Sequence, residues 1–280
     1  MRSMFILVFV FLLTSCSSKL AYNNIDWWVY WYIDDYIELN NDQEEEFDSY
    51  LQNWLRWHKK SELSRYKDQL VKIKSQVENG SLNFNAVYNH LELGRAHWER
   101  VRDEISPELA SIAKTLDDEQ VVTLFAALEK DNKEEEEERE EALEKSETER
   151  LNDRKERIEN AISERIGKLS DEQKQIVSTY AEQFIPTGEE WLKYRRDIQN
   201  AARKLFVTRE LNSNFEEDLI TLMQNPDNYR SEVYKQSSAH NMTVSATLVA
   251  EIYSTLSTKQ KETLIENINE FIETVESFKR

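Results

Sequence analysis

The chain has one cysteine, Cys16, in 280 residues. A lone cysteine closes no internal disulfide and supplies no thiolate zinc set. Glycine and proline are also scarce, with four and three residues. Both counts lie far below ordinary globular usage, which argues against a turn-rich β architecture. So few glycines leave no Gly-rich phosphate loop, and no serine sits in a G-x-S-x-G elbow. No stretch alternates apolar and polar residues for long enough to read as a strand. No run of about 20 apolar residues is present to span a bilayer as a helix. The histidines are His58, His90, His97 and His240. None follows the His-Glu-x-x-His spacing of a zinc helix, and His90 and His97, seven apart, read as a surface pair on one helix face. Neither a metal nor a cofactor is expected.

Basic residues are outnumbered, 36 to 54, giving a formal net charge of -18. That surface excludes nucleic acid as the expected partner, because such binding rests on phosphate neutralisation. It also argues against a basic patch for anionic lipid heads. It suits solubility, basic partners or diffuse divalent-ion binding. Apolar residues make up 39% of the chain and recur periodically, so a packed core is expected rather than disorder.

What is present begins at the N-terminus. Arg2 precedes an apolar run from Met4 to Leu13 that ends in Leu13-Thr14-Ser15-Cys16. A basic start, about ten apolar residues and small residues before a break form a secretory signal. Small residues directly before a cysteine resemble the lipobox of bacterial lipoproteins. The resemblance implies a signal over 1–15 that is cut before Cys16, an acylated Cys16, a tether over 16–23 and a body over 24–280. Several acyl chains satisfy the two-signal requirement for stable anchoring. Ser17 rather than aspartate after the cysteine implies, by resemblance to enteric sorting rules, the periplasmic face of the outer membrane.

One local pattern occurs four times: Leu39 to Gln43, Leu116 to Gln120, Leu169 to Gln173 and Leu256 to Gln260. In each, an Asn, Asp or Ser follows the leucine and a glutamine stands three residues beyond it. That is a capping box with a hydrophobic staple, and it predicts helix starts near 40, 117, 170 and 257. The pattern resembles the L-T-x-x-Q motif of the Spy and CpxP family of small periplasmic helical proteins, although none of the four copies carries the threonine. The lipobox is followed by the aromatic Tyr22 to Tyr36 segment with Asp26-Trp27 and Asp34-Asp35-Tyr36, then by Leu39 to Gln43 and a long Trp54, Trp57, His58 helix. In that order, over most of the mature chain, they resemble an uncharacterised family of proteobacterial lipoproteins defined by a domain of unknown function. This second resemblance implies an envelope location and a helical body, with no reaction.

The periodicity predicts an all-α, extended multi-helix bundle with long antiparallel helices. Helices are expected over 24–38, 41–78, 83–104, a short one from Ser106-Pro107, then 118–166, 171–184, 188–224, 228–255 and 258–278. Asn79-Gly80 closes the second, and Thr187 to Glu190 reads as a further capping box. Residues 131–160 carry few apolar side chains and alternate charges, which predicts a solvated acidic segment, either a projecting helix or a hairpin tip. The candidate binding or packing surface is Trp27, Trp28, Trp31, Tyr32 and Tyr36 with Trp54 and Trp57. Its rings either rest at the headgroup level or pack, with Ile25, Trp28, Tyr32 and Tyr36 on the second helix and Trp27 and Trp31 outward. These features point to a non-enzymatic envelope lipoprotein, held to the membrane through Cys16, that binds polypeptides or another envelope component. The alternatives are a structural lipoprotein without a chaperone role and a carbohydrate-active or other envelope enzyme. An enzyme would draw on Asp26, Asp34 and Asp35, which lie among aromatics.

Overall fold

The computed structural model describes residue 22 and residues 24–279. The signal run and Cys16 lie outside the described residues. Among the described residues there are eleven α-helices, one 3-10 turn and no strand. The helices are α1 (Ile25–Asp34), α2 (Asn41–Lys60), α3 (Glu62–Asn79), α4 (Phe84–Thr115), α5 (Asp118–Glu144) and α6 (Glu147–Ile166). They continue with α7 (Asp171–Ala181), α8 (Gly188–Thr208), α9 (Phe215–Gln224), the 3-10 turn Pro226–Tyr229, α10 (Glu232–Ser254) and α11 (Thr258–Phe278).

All four predicted starts are capping boxes. Asn40, Asp117, Ser170 and Ser257 each accept from the backbone N–H three residues on, and the glutamine there accepts from the cap N–H. Gly80 closes α3 in the left-handed region (φ 79°), where a Cβ would be strained. The expected box at Thr187 does not form, since its side chain makes no cap bond. Glu189 pairs with Arg139 instead, and Glu190 accepts from the Ser231 hydroxyl.

Several expected boundaries shift. The span 41–78 breaks at Ser61, which ends one helix and precedes the next, and Glu62 directly after it is fully buried. In the opposite sense, 83–104 and the Ser106-Pro107 helix are one helix. Pro107 lacks the N–H that would bond the Asp103 carbonyl, and Gln224 Nε2 donates to that oxygen at 3.2 Å. The 188–224 span splits where the Asn212 side chain accepts from Asn214 N–H, a local turn that competes with helix. The 118–166 span breaks at Lys145-Ser146, where Ser146 and Glu149 form a fifth capping box.

The helices pack largely antiparallel. α3 runs against α4 and against α11, and α5 lies along α8. One core joins α2, α4, α5, α8 and α9 around Phe47, Leu51, Ala110, Phe125, Phe206 and Phe215. A second joins α3, α4, α10 and α11 around Val77, Val87, Ala246 and Ile268. A third joins α6, α7 and α10 around Ile166, Val177 and Leu248.

Candidate functional site

The four glutamines meet in two pairs. Gln43 Nε2 donates to Gln120 Oε1 at 3.1 Å, and Gln120 Nε2 donates to Gln43 Oε1 at 2.7 Å. Gln43 also donates to the Thr115 carbonyl, and Gln120 to the Glu38 carbonyl. Those carbonyls belong to the residues just before the staple leucines Leu116 and Leu39. The second pair repeats this: Gln173 and Gln260 exchange bonds of 3.1 and 2.9 Å, and donate to the Thr255 and Lys168 carbonyls, just before Leu256 and Leu169. Each amide thus caps its own helix and clamps the chain entering the opposite one. Gln43 and Gln173 are buried, so every polar atom needs the partner it has. The pairs knit α2 to α5 and α7 to α11, and the second pair repeats the bonding of the first.

The aromatic segment divides differently from expectation. Val29, Tyr30 and Ile33 pack on the first core, with the Tyr30 ring edge-on to Phe47 at 5.5 Å and its hydroxyl donating to Asp48 at 2.7 Å. Tyr36 donates to Asp131 at 2.5 Å, which ties the end of α1 to α5. Trp54 packs in the same core, and Trp57 is half-buried. Trp28 and Tyr32 do not pack on α2. Together with Trp27 and Trp31 they stay exposed, at 58% for Trp27, 43% for Trp28 and 55% for Trp31. Asp26, Asp34 and Asp35 face solvent, so no buried carboxylate pair forms among the rings.

The chain that leads into this helix is held to the body. The Tyr22 ring stacks on Phe278 at 4.3 Å, and its hydroxyl sits 3.0 Å from His58 Nδ1. Burial pushes the Tyr22 hydroxyl up to about 12, with Tyr66 adding to it.

His90 and His97 do share a face of α4, but they lie in a half-buried to buried polar seam with α3 rather than on the surface. Sequence reasoning missed the seam because its centre, Glu62, is one carboxylate among many. Glu62 accepts two bonds from Arg100, at 2.9 and 3.1 Å, and lies 3.1 Å from His97 Nδ1. His97 Nε2 faces Gln69 Oε1 at 2.7 Å, Gln69 Nε2 donates to the His90 carbonyl, and His90 Nε2 faces Gln76 Oε1 at 2.7 Å. These partners assign an Nε2–H tautomer to both rings. Burial lowers the affinity of His58, His90 and His97 for a proton, in His97 against the pull of Glu62. Burial alone would raise the Glu62 carboxyl, but the Arg100 guanidinium outweighs it and holds it below the ordinary range. No cluster of His, Cys, Asp and Glu among the described residues is arranged to hold a metal ion.

The acidic segment is partly docked. Arg195 pairs with Glu135 and Asp131, and Arg196 with Glu129 and Glu136, along the α5–α8 contact. Asn132 is buried there and donates to Gln199. Residues 140–149 form an exposed tip, and Arg154 on α6 donates to the carbonyls of Ala181 and Phe184. Isolated charges would project into water, but guanidinium forks on the facing helix give this run partners. A cleft of about 480 Å³ beside it is lined mostly by charges that are paired, Arg139 with Glu189, Lys193 with Asp197 and Arg196 with Glu136.

The chain belongs to a family of unknown function (DUF6279), whose model matches residues 35–235. No curated protein and no solved structure matches it. Membership brings neither a location nor a partner with it. The matched region contains the three boxes of Gln43, Gln120 and Gln173 and the Ser146 box, and stops short of the one at Ser257, to which Gln260 belongs.

Proposed function

We propose that this chain is a lipid-anchored envelope protein, held through Cys16 at the periplasmic face of an outer membrane, that acts through its helical surface on a polypeptide or another envelope component. The observation that carries the reading is the Leu13-Thr14-Ser15-Cys16 motif behind an apolar run, six residues before Tyr22 is stacked on Phe278. Six residues reach about 20 Å at full extension. A lipid on Cys16 therefore holds the whole helical body close to the bilayer. No helix among the described residues is long and apolar enough to cross a membrane, so attachment through the body would have to be peripheral. The L-x-x-x-Q boxes and their likeness to the Spy and CpxP motif support a polypeptide partner. Their pairing across helix starts equally suits a structural lipoprotein, the second reading.

Replacing Cys16 by Ala tests the anchor. The variant is expected to leave the membrane fraction and to lose incorporation of a palmitate analogue. Labelling that persists in the variant overturns it. A pull-down from detergent-solubilised envelope with the anchored form, paired with an antiaggregation assay, separates the two readings. A captured partner or suppressed aggregation supports the first, and envelope defects on deletion with neither supports the second.

A further inference from the structure

We infer that the face of α1 formed by Trp27, Trp28, Trp31 and Tyr32 lies in the headgroup region of the bilayer to which Cys16 is tethered. This rests on the anchor proposed above and adds a second contact to it. α1 reads IDWWVYWYID, yet none of its residues is buried. Its inner face is occupied by Val29, Tyr30 and Ile33 on the first core. The outer face is a continuous aromatic surface: the Trp27 and Trp28 rings meet edge-on at 4.8 Å, and Trp28 and Trp31 at 5.9 Å. Positions 27, 28, 31 and 32 fall on one side of a 3.6-residue helix.

The geometry of the tether selects the occupant. Tyr22 is fixed on Phe278 and His58, and α1 begins three residues later. With Cys16 in the membrane, the six residues to Tyr22 span at most about 20 Å, so the aromatic face is delivered to the bilayer surface. Indole and phenol rings, apolar in body with a polar N–H or O–H, are favoured at that depth. Charge narrows the lipid. Asp26 and Asp34 are exposed on the same helix and Asp35 is exposed at its C-cap, and no lysine or arginine lies on the helix. The face therefore suits zwitterionic headgroups and is repelled by a strongly anionic surface.

The test uses the acylated full-length mature protein in phosphatidylethanolamine–phosphatidylcholine vesicles containing acyl-brominated phosphatidylcholine, which quenches tryptophans at the interface. Wild-type emission is expected to fall and shift to the blue on reconstitution. The W27Q/W28Q/W31Q variant, which keeps Trp54, Trp57, Trp98 and Trp191 as a constant background, is expected to lose that quenching. The three rings are exposed, so the variant keeps its core, and an unchanged far-UV circular dichroism spectrum verifies this. Raising the fraction of phosphatidylglycerol at low salt is expected to reduce the quenching, and added salt to restore it. Equal quenching in both proteins, or none in the wild type, overturns the inference. So does a dimer in detergent that the triple variant abolishes, because a second copy would then cover the face. Palmitate-analogue labelling of Cys16 in the same samples separates the two proposals: a labelled but unquenched wild type keeps the anchor and discards the aromatic contact.

Discussion

Glu62 is fully buried, and what makes its charge tolerable is a bidentate bond from Arg100. An unpaired buried carboxylate would take up a proton rather than stay charged. His97 has a neutral role here: its Nε2–H is committed to Gln69, which leaves Nδ1 as an acceptor 2.5 Å from Arg100 Nη2. A proton on Nδ1 would be set against that guanidinium. The folded state thus holds His58, His90 and His97 below their ordinary value of 6.5, and Glu62 below 4.5. For a group depressed on folding, the unfolded chain binds more protons in the window between the two values, so stability falls as pH falls. The histidine part is complete above about pH 6.5 and drains below it, and the Glu62 part is complete above 4.5 and drains lower still. Urea midpoints are therefore expected to drop between pH 7.5 and pH 5.5, with a smaller drop in the H97Q variant. Comparing variant with wild type at each pH cancels the general relief of the -18 net charge on acidification. A drop that is the same in H97Q would show that His97 takes no part.

At the scale of elements, the glutamine pairs are the joints. Gln173 is fully buried, accepts from Ser170 N–H and Gln260, and donates to Thr255. Truncating it to alanine takes the side-chain partner from the Ser170 N–H and the Thr255 carbonyl and removes both bonds to the Gln260 amide, which costs about 1–3 kcal/mol. Once Gln173 is gone, removing Gln260 loses less, so the Q173A/Q260A double variant is expected to be less destabilised than the sum of its singles by about 0.5–3 kcal/mol. Urea denaturation of the four proteins measures this, and additive losses would mean the pair caps two helices independently. The boxes themselves were legible because a cap is local: four residues contain both partners of both bonds. Their pairing was not, since it joins positions 77 and 87 residues apart. The last helix, expected over 258–278, has those bounds, and a capping box opens it. Pro107 misled for the opposite reason. A proline ordinarily marks a helix start, and the Gln224 side chain that satisfies the freed Asp103 carbonyl comes from a distant element. The break at Ser61 and the docking of the acidic run on Arg195 and Arg196 are likewise set by tertiary partners.

For the whole molecule, the family-matched span and the folding unit differ. The match ends at 235, inside α10, whereas α10 and α11 complete two of the shared cores. Val77, 1% exposed, packs with Ala246, Tyr253 and Ile268, and its carbonyl accepts from the Tyr253 hydroxyl at 2.9 Å. Leu63 is covered by Val275 and Phe278, and Val177 shares its core with Leu248 and Ile252. Phe278 also carries the Tyr22 ring, so the far C-terminal helix holds the start of the described chain. Burying a valine or leucine side chain contributes about 1.5–3 kcal/mol, so uncovering these three alone removes roughly 5–9 kcal/mol. That is comparable with the entire net stability of a typical domain, about 5–15 kcal/mol. Gln173 would lose both Thr255 and Gln260 in addition. A chain ending at residue 235 is therefore expected to show reduced helicity and a broad, non-cooperative thermal transition, while the full chain melts in one step. Circular dichroism melts of the two measure this. A sharp transition in the shortened chain at the full-length midpoint would show that the first glutamine pair folds without the second, as two units side by side rather than one interlocked body.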